Sequence, residues 1–304
     1  MKLGFIGLGN LGYPLAMSLV RAGHDVTVSD LRRDAGTKLI EAGASWSDDI
    51  AGVCRGSEAV ITALPSPEAS RAVVENADGV FDHLTKGNCW IEMSTTDFED
   101  IQRQAKVAGE KGFNVLECPV TGGVHLAHTG EITVLVGGEM DIYERYKPIL
   151  GVMGKEVIHL GPLGNASVVK VVTNMLAFIH LVAAGEGMML AAKQGVDLGA
   201  AYKAIRASSG NSFVHETESQ LILNGSYNIN FTMDLACKDL RFAGQIAEKL
   251  NVPIELGSMT RQIFERARNL FGGEAWSPQV VKMLEDACGQ PLRAPGFPET
   301  LVAE

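Results

Sequence analysis

The sequence has few cysteines, no dense basic stripe and no apolar run long enough to span a bilayer, and each shortage removes a class of protein. Five cysteines in 304 residues, Cys54, Cys89, Cys118, Cys237 and Cys288, lie far apart with no C-x-x-C among them. An odd, scattered set fits a reducing compartment and argues against both a disulfide framework and a zinc site. Lysine and arginine number 26 against 36 acidic residues, a net charge of −10. Without clustered basic residues, nucleic acid is not an expected partner, although a local pocket can still take a small anion. In the most apolar stretch, 168–192, the uncharged run from Val171 to Gly185 falls short of the ~18 residues that a spanning helix needs, and it contains Asn174 and His180. It reads as a helix buried inside the protein or between two subunits, not as a membrane segment. Gly4, Gly7, Gly9, Gly12 and Pro14 interrupt the apolar start, which makes a poor signal peptide. A cytoplasmic globular protein is the expectation, and 46% hydrophobic residues suffice for a sizeable core.

The length allows two domains, and the pattern divides accordingly. Through about residue 160, short apolar runs rich in β-branched residues (KLGFIGL, DVTVSD, EAVITAL, WIEMS, NVLECPV, EITVLVGG) alternate with helical stretches such as FEDIQRQAKVAGEKG. This alternation predicts a mainly parallel sheet with helices on both faces. Beyond Gly161, helical patterns take over at 165–192, 198–207, 212–223, 231–250 and 255–271. The expected fold is α/β: a dinucleotide-binding domain over 1–163, then an all-helical domain over 164–304, joined by the long helix. The Pro- and Gly-rich end, GQPLRAPGFPETLVAE, reads as loosely held.

The first motif is GLGNLG, with Gly7, Gly9 and Gly12 in a G-x-G-x-x-G frame. The frame alone is weak in a chain with 34 glycines. Here it follows an apolar strand and opens a helix, and Asp30 ends the next strand about twenty residues on, the arrangement that dinucleotide binding requires. Gly7 permits the tight turn, Gly9 admits the pyrophosphate to the backbone, and Gly12 lets helix and strand pack closely. The N–H groups of the turn, through Asn10 and Leu11, face the phosphates at the helix N-terminus. Asp30 would accept from the ribose hydroxyls and repel a 2′-phosphate, so NAD is the expected cofactor. Arg32 and Arg33 keep NADP open.

Two further stretches each admit two readings. Lys170 and Asn174 stand four residues apart, on one face of an apolar helix. Either burial lowers the lysine's pKa toward proton transfer, or its stem snorkels to solvent. Thr121-Gly122-Gly123 ends a strand. Either its N–H groups form a nest for a carboxylate, or it is a simple strand-to-helix turn. His125 and His128 have a spacing that suits two metal ligands, but no third is evident and no metal is expected. Cys118 and Cys237 read as small core residues.

These motifs together resemble the β-hydroxyacid dehydrogenases, the group containing 3-hydroxyisobutyrate dehydrogenase and tartronate semialdehyde reductase. The resemblance runs over nearly the whole chain: F-I-G-L-G-N-L-G at 5–12, A-L-P at 63–65, S-T at 94–95, P-V-T-G-G at 119–123, Lys170 with Asn174, and K-D-L at 238–240. It implies hydride transfer between NAD and a small 3-hydroxy acid or its semialdehyde, in a homodimer or homotetramer. By that likeness Lys170 is the acid/base, and Thr121, Gly122, Gly123 and Asn174 hold the substrate. Leu64, Pro65, Thr95 and Lys238 line the nicotinamide end of the cofactor site. Leu126 and the triplet Gly130-Glu131-Ile132 depart from the family pattern beside the expected nest, which leaves the substrate open. Two alternatives stand beside this reading: a decarboxylating 6-phosphogluconate-type enzyme, for which no basic phosphate cluster is evident, and a non-catalytic NAD sensor, whose relatives lose the lysine.

Overall fold

The computed structural model describes residues 1–301. The described residues form two compact units, Met1–Lys170 and 171–301. In the first unit, β1 (Lys2–Ile6), β2 (Asp25–Ser29), β3 (Ser45–Trp46), β4 (Ala59–Thr62), β5 (Cys89–Glu92) and β6 (Asn114–Glu117) make one sheet in the order β3-β2-β1-β4-β5-β6. Every pair in it is parallel. The order reverses direction beside β1, which is the doubly wound dinucleotide-binding arrangement. Helices α1 (Gly12–Arg21), α2 (Thr37–Glu41), α3 (Ile50–Cys54), α4 (Pro67–Val74), α5 (Val80–His83) and α6 (Phe98–Lys111) lie between the strands.

Both faces of this sheet are buried, and the strand sequences show why. Leu3 and Phe5, Ala59 and Ile61, Cys89 and Ile91, and Leu116 pack into one apolar cluster. Their alternating neighbours Ile6, Val60, Trp90 and Val115 pack into another. A strand covered on both sides reads as a continuous apolar run, as these do. The helix ends follow local chemistry. Ser66 caps α4 ahead of Pro67, and Asp97 caps α6, which Gly112 ends in the left-handed conformation.

The sequence treats NVLECPV as one strand, and the chain makes two. β6 stops at Glu117, and β7 (Val120–Thr121) begins a separate three-stranded sheet with β8 (Thr133–Val136) and β9 (Glu156–His159). β7 runs antiparallel to β8, and β9 parallel to it. EITVLVGG therefore joins this second sheet and not the large one. Helices α7 (Val124–Thr129) and α8 (Met140–Met153) accompany it.

Helix α9 (Asn165–Lys193) begins in the first unit and continues into the second. Against the expectation from its short uncharged run, by length and composition alone it is apolar enough to cross a membrane, and 22% of its most apolar window is buried within the described residues. The second unit adds α10 (Leu198–Arg206), α11 (Phe213–Asn224), α12 (Met233–Leu250), α13 (Glu255–Phe271) and α14 (Lys282–Cys288), packed around Phe178, Leu181, Tyr202, Leu223, Leu240 and Phe264. The chain end is pinned, not loose. Arg293 donates to Glu285 at 2.8 Å and to the Tyr227 hydroxyl at 2.8 Å, and the side chains of Asn224 and Ser226 bind the carbonyls of Phe297 and Glu299. Residues 302–304, the last of that stretch, lie outside the described residues.

Candidate functional site

The glycine turn joins β1 to α1, and its three glycines have different neighbours. A Cβ on Gly7 would stand 2.4 Å from the Ala63 carbonyl oxygen, and one on Gly12 would stand 1.9 Å from the Gly7 carbonyl oxygen. Both contacts are with backbone that cannot swing aside. A Cβ on Gly9 would meet nothing within 4 Å. Gly7 and Gly12 are thus demanded by the fold itself, and Gly9 faces the space that a ligand needs. No side chain caps α1 and no acidic residue occupies its first turn, so the Asn10–Gly12 end of the helix presents its positive pole without a competing carboxylate. These residues fit a dinucleotide pyrophosphate.

Asp30 follows β2 and is tied into the same turn. Its Oδ2 accepts the Leu8 N–H at 2.7 Å and its Oδ1 accepts the Arg32 N–H at 2.9 Å. Of the two arginines beside it, Arg33 is engaged elsewhere: it pairs with Asp48 at 3.1 Å and lies over the Trp46 ring.

Leu64 and Pro65 follow β4, and Thr95 follows β5, at the C-terminal ends of adjacent parallel strands. A buried relay joins these two loops. The Leu64 N–H donates to Ser94 Oγ at 2.8 Å, and Ser94 Oγ donates to Glu92 at 2.5 Å. Glu92 is fully buried and also accepts from the Ser94 N–H and from Ser70 Oγ. Burial pushes its carboxyl above the ordinary range, against the pull of these hydrogen bonds.

Glu117, in register with Glu92 on the neighbouring strand, does the same for α9. Its Oε1 accepts the N–H groups of Gly164 at 2.5 Å and Ala166 at 3.0 Å, and its Oε2 accepts the N–H of Ser167 at 3.2 Å and its hydroxyl at 2.5 Å. Burial raises this carboxyl as well, and the four donors oppose it. Hydrogen bonds to a charged group contribute roughly 1.5–3 kcal/mol each, so the four recover part of the several kcal/mol that burying the charge would cost. Lys170 lies one turn further along α9 and is 9% exposed. Among the described residues no other lysine or arginine is buried.

Thr121 ends β7, and Gly122 and Gly123 follow with φ of 118° and 95°, a conformation that L side chains rarely adopt. Leu126 packs into the core from α7, with its Cδ1 3.0 Å from where a Gly122 Cβ would stand. The His125 ring lies at the same distance from the corresponding position on Gly123, and burial lowers its pKa. The two other departures have local roles: Glu131 pairs with Lys155 at 3.3 Å, and Ile132 is core. Cys118 is fully buried, which pushes its thiol well above the ordinary range, and burial raises Cys237 to about 11. Neither has the character of a nucleophile.

In the second unit, Asn174 on α9 and Lys238 on α12 meet through one carboxylate. Asp239, 1% exposed, accepts from Asn174 Nδ2 at 2.6 Å and lies 3.5 Å from the Lys238 ammonium. Sequence reasoning assigned no role to Glu92, Glu117, Ser94 or Asp239. The available signal was a charge closing an otherwise apolar strand, CWIE and NVLE, and a carboxylate directly after Lys238.

Comparison with known proteins covers nearly the whole chain. The family profile described as the NAD binding domain of 6-phosphogluconate dehydrogenase matches residues 2–161. That described as the NAD-binding domain of NADP-dependent 3-hydroxyisobutyrate dehydrogenase matches residues 164–284. The 2-(hydroxymethyl)glutarate dehydrogenase of Eubacterium barkeri is 32% identical over 290 residues, 95% of this chain and 96% of that protein. The 3-hydroxyisobutyrate dehydrogenase of Pseudomonas aeruginosa is 32% identical over 269 residues, 86% of this chain and 90% of that one. Among solved structures, a 3-hydroxyisobutyrate dehydrogenase from Salmonella typhimurium superposes with a TM-score of 0.86 at 29% identity, covering 93% of this chain and 99% of its own.

Proposed function

The chain belongs to the β-hydroxyacid dehydrogenases, NAD(P)-dependent oxidoreductases of small hydroxy acids, and from that premise we propose that Lys170 is its acid/base and that its substrate is a 3-hydroxy acid held by the carboxylate. The observation that carries this reading is the burial of Lys170, since a cation is rarely kept out of water without a task. Bound NAD(P) supplies the hydride acceptor or donor. Lys170, as the neutral amine, takes the hydroxyl proton in oxidation and returns it in reduction, a contribution of ~10²–10⁴-fold. Thr121, Gly122 and Gly123 present backbone donors to the carboxylate, and Asn174, held by Asp239, contacts the substrate beside Lys170. The relatives named for 2-(hydroxymethyl)glutarate and 3-hydroxyisobutyrate support this choice, because both acids carry a hydroxyl on the carbon next but one to a carboxylate.

Further parts of the reading rest on other observations. Asp30 favours NAD over NADP, and the pairing of Arg33 with Asp48 supports that preference. Gly7, Gly9, Asn10, Leu11 and Gly12 cradle the pyrophosphate, and Leu64, Pro65, Thr95 and Lys238 border the nicotinamide. Self-association as a homodimer or homotetramer is supported by the exposed apolar side chains of α9, Val172, Leu176 and Leu190. The enzyme works in the cytoplasm without nucleic acid or membrane, in keeping with its net charge of −10.

The test compares kcat/KM for a 3-hydroxy acid, its methyl ester and its amide. A site built around a carboxylate discriminates by ~10⁴-fold against analogues that lack it. Equal values for all three would remove the carboxylate anchor. A Lys170→Ala protein that keeps half of the normal kcat would remove the acid/base assignment.

A further inference from the structure

We infer that Glu117 is the positioning residue for Lys170: it fixes the first turn of α9 to the strand end from which the Thr121-Gly122-Gly123 turn departs, and so sets the lysine's place relative to that turn. The inference rests on the reading of Lys170 as acid/base.

The first turn of α9 is bonded from outside the helix. Gly164, Ala166 and Ser167 donate their N–H groups to a carboxylate from another element, and the Ser167 hydroxyl adds a fourth bond. Two partners on each oxygen engage both sides of the carboxyl group, so it cannot turn without giving up bonds to the helix. Ser167 and Lys170 stand three residues apart, on one face. The carboxylate therefore grips α9 on the lysine's side, one turn before it. Four residues beyond Glu117 the chain reaches Thr121, so acid/base and substrate turn are referred to a single strand end. The fold makes room for this grip, because a Cβ on Gly137 would stand 2.2 Å from Glu117 Oε1. An ordinary N-cap would satisfy the same donors from within the helix. A cap supplied from the sheet does more, since it transmits the position of the strand to the helix. Glu92, its in-register neighbour, holds the Leu64 and Ser94 loops at the adjacent strand end.

The experiment is a double-mutant cycle on the full chain. Glu117→Gln, Lys170→Ala and the double variant are compared with wild type, with kcat expressed per NADH-binding site. A misplacement of about 1 Å costs up to ~10²-fold in rate. Glu117→Gln should lower kcat ~10–100-fold while the KM for the hydroxy acid and the Kd for NADH change less than about 3-fold. In the Lys170→Ala background the same substitution should cost nothing further, because there is no longer a lysine to place. Gly137→Ala, which crowds the carboxylate while leaving it in place, should reproduce the kcat loss and the same non-additivity. Should Glu117→Gln fail to fold, Ser167→Ala removes one donor and should lower kcat ~2–5-fold, again only when Lys170 is present. The inference is overturned if the foldable Glu117 or Ser167 variant keeps wild-type kcat, or if its loss is the same with and without Lys170. Failure of the underlying reading has a separate signature: Lys170→Ala itself would stay active.

Discussion

The glycine turn allows a sharp separation of fold from binding. Gly9→Ala and Gly12→Ala each add one methyl group, three residues apart, and should have opposite consequences. At Gly12 the new Cβ would be 1.9 Å from the Gly7 carbonyl oxygen and 3.0 Å from its carbon. Both atoms are backbone, so relief requires moving α1 off β1. Overpacking of this kind costs about 1–3 kcal/mol, which corresponds to a Tm lower by about 3–10 °C for a unit of this size. At Gly9 the Cβ would meet no protein atom within 4 Å. Stability should stay within about 0.5 kcal/mol, or rise slightly as the unfolded chain loses freedom. NADH binding should suffer instead. Displacing the pyrophosphate from even one charge-assisted N–H bond forfeits about 1.5–3 kcal/mol, a Kd raised roughly 10- to 150-fold. The assays are thermal denaturation and titration of NADH fluorescence. Wild-type NADH affinity in Gly9→Ala would refute the placement of the pyrophosphate against this turn. An unchanged Tm in Gly12→Ala would refute the claim that the close contact is rigid.

Cofactor choice and pH dependence give two more tests. Asp30→Ala should weaken NAD binding and raise tolerance of NADP; adding Asp48→Ala, which releases Arg33, should raise NADP use further. A wild-type protein with a higher kcat/KM for NADP(H) than for NAD(H) would contradict the role given to Asp30. Burial raises the Glu218 carboxyl to about 8, and its Oε2 has no hydrogen-bond partner among the described residues. The folded chain keeps this proton where the unfolded chain releases it, so the contribution to stability is full below the unfolded value and is lost as pH rises through about 8. Glu218→Gln, which cannot ionise, should raise Tm more at pH 8.5 than at pH 5, and an equal change at both would exclude this account.

The layout of the fold was legible because both of its periodicities are strong. Strands covered on two faces leave runs such as AVIT and CWI, and the five helical stretches expected beyond Gly161 were placed to within about two residues at their ends, while the short α14 was missed. What failed was partnership. NVLECPV satisfies the pattern of one strand, yet periodicity carries no information about which sheet a residue joins. The break falls where Glu117 turns its carboxylate to α9 and Pro119 cannot donate to a ladder. The chain end failed for a related reason. Proline and glycine forbid regular structure there, but they do not forbid anchoring, and Arg293 with Glu285 supplies it from side chains distant in sequence.

In the candidate site, the residues readable from sequence are those whose role is local. Gly7, Gly9 and Gly12 declare themselves because their spacing is the geometry of a turn, and Lys170 because a charge in an apolar helix is conspicuous. Glu92, Glu117 and Asp239 do not, because their roles lie in the donors that converge on them. Those donors come from positions up to 65 residues away, as Asn174 does for Asp239. A carboxylate that ends a buried strand has only two stable fates in a folded protein: it takes a proton, or it is surrounded by donors. Glu117 has four, and each comes from the first turn of the helix that carries Lys170. The hydrogen-bonding demand of one buried carboxyl group thereby becomes a constraint on a buried lysine, which links the β6 sequence NVLE to the position of Lys170 on α9.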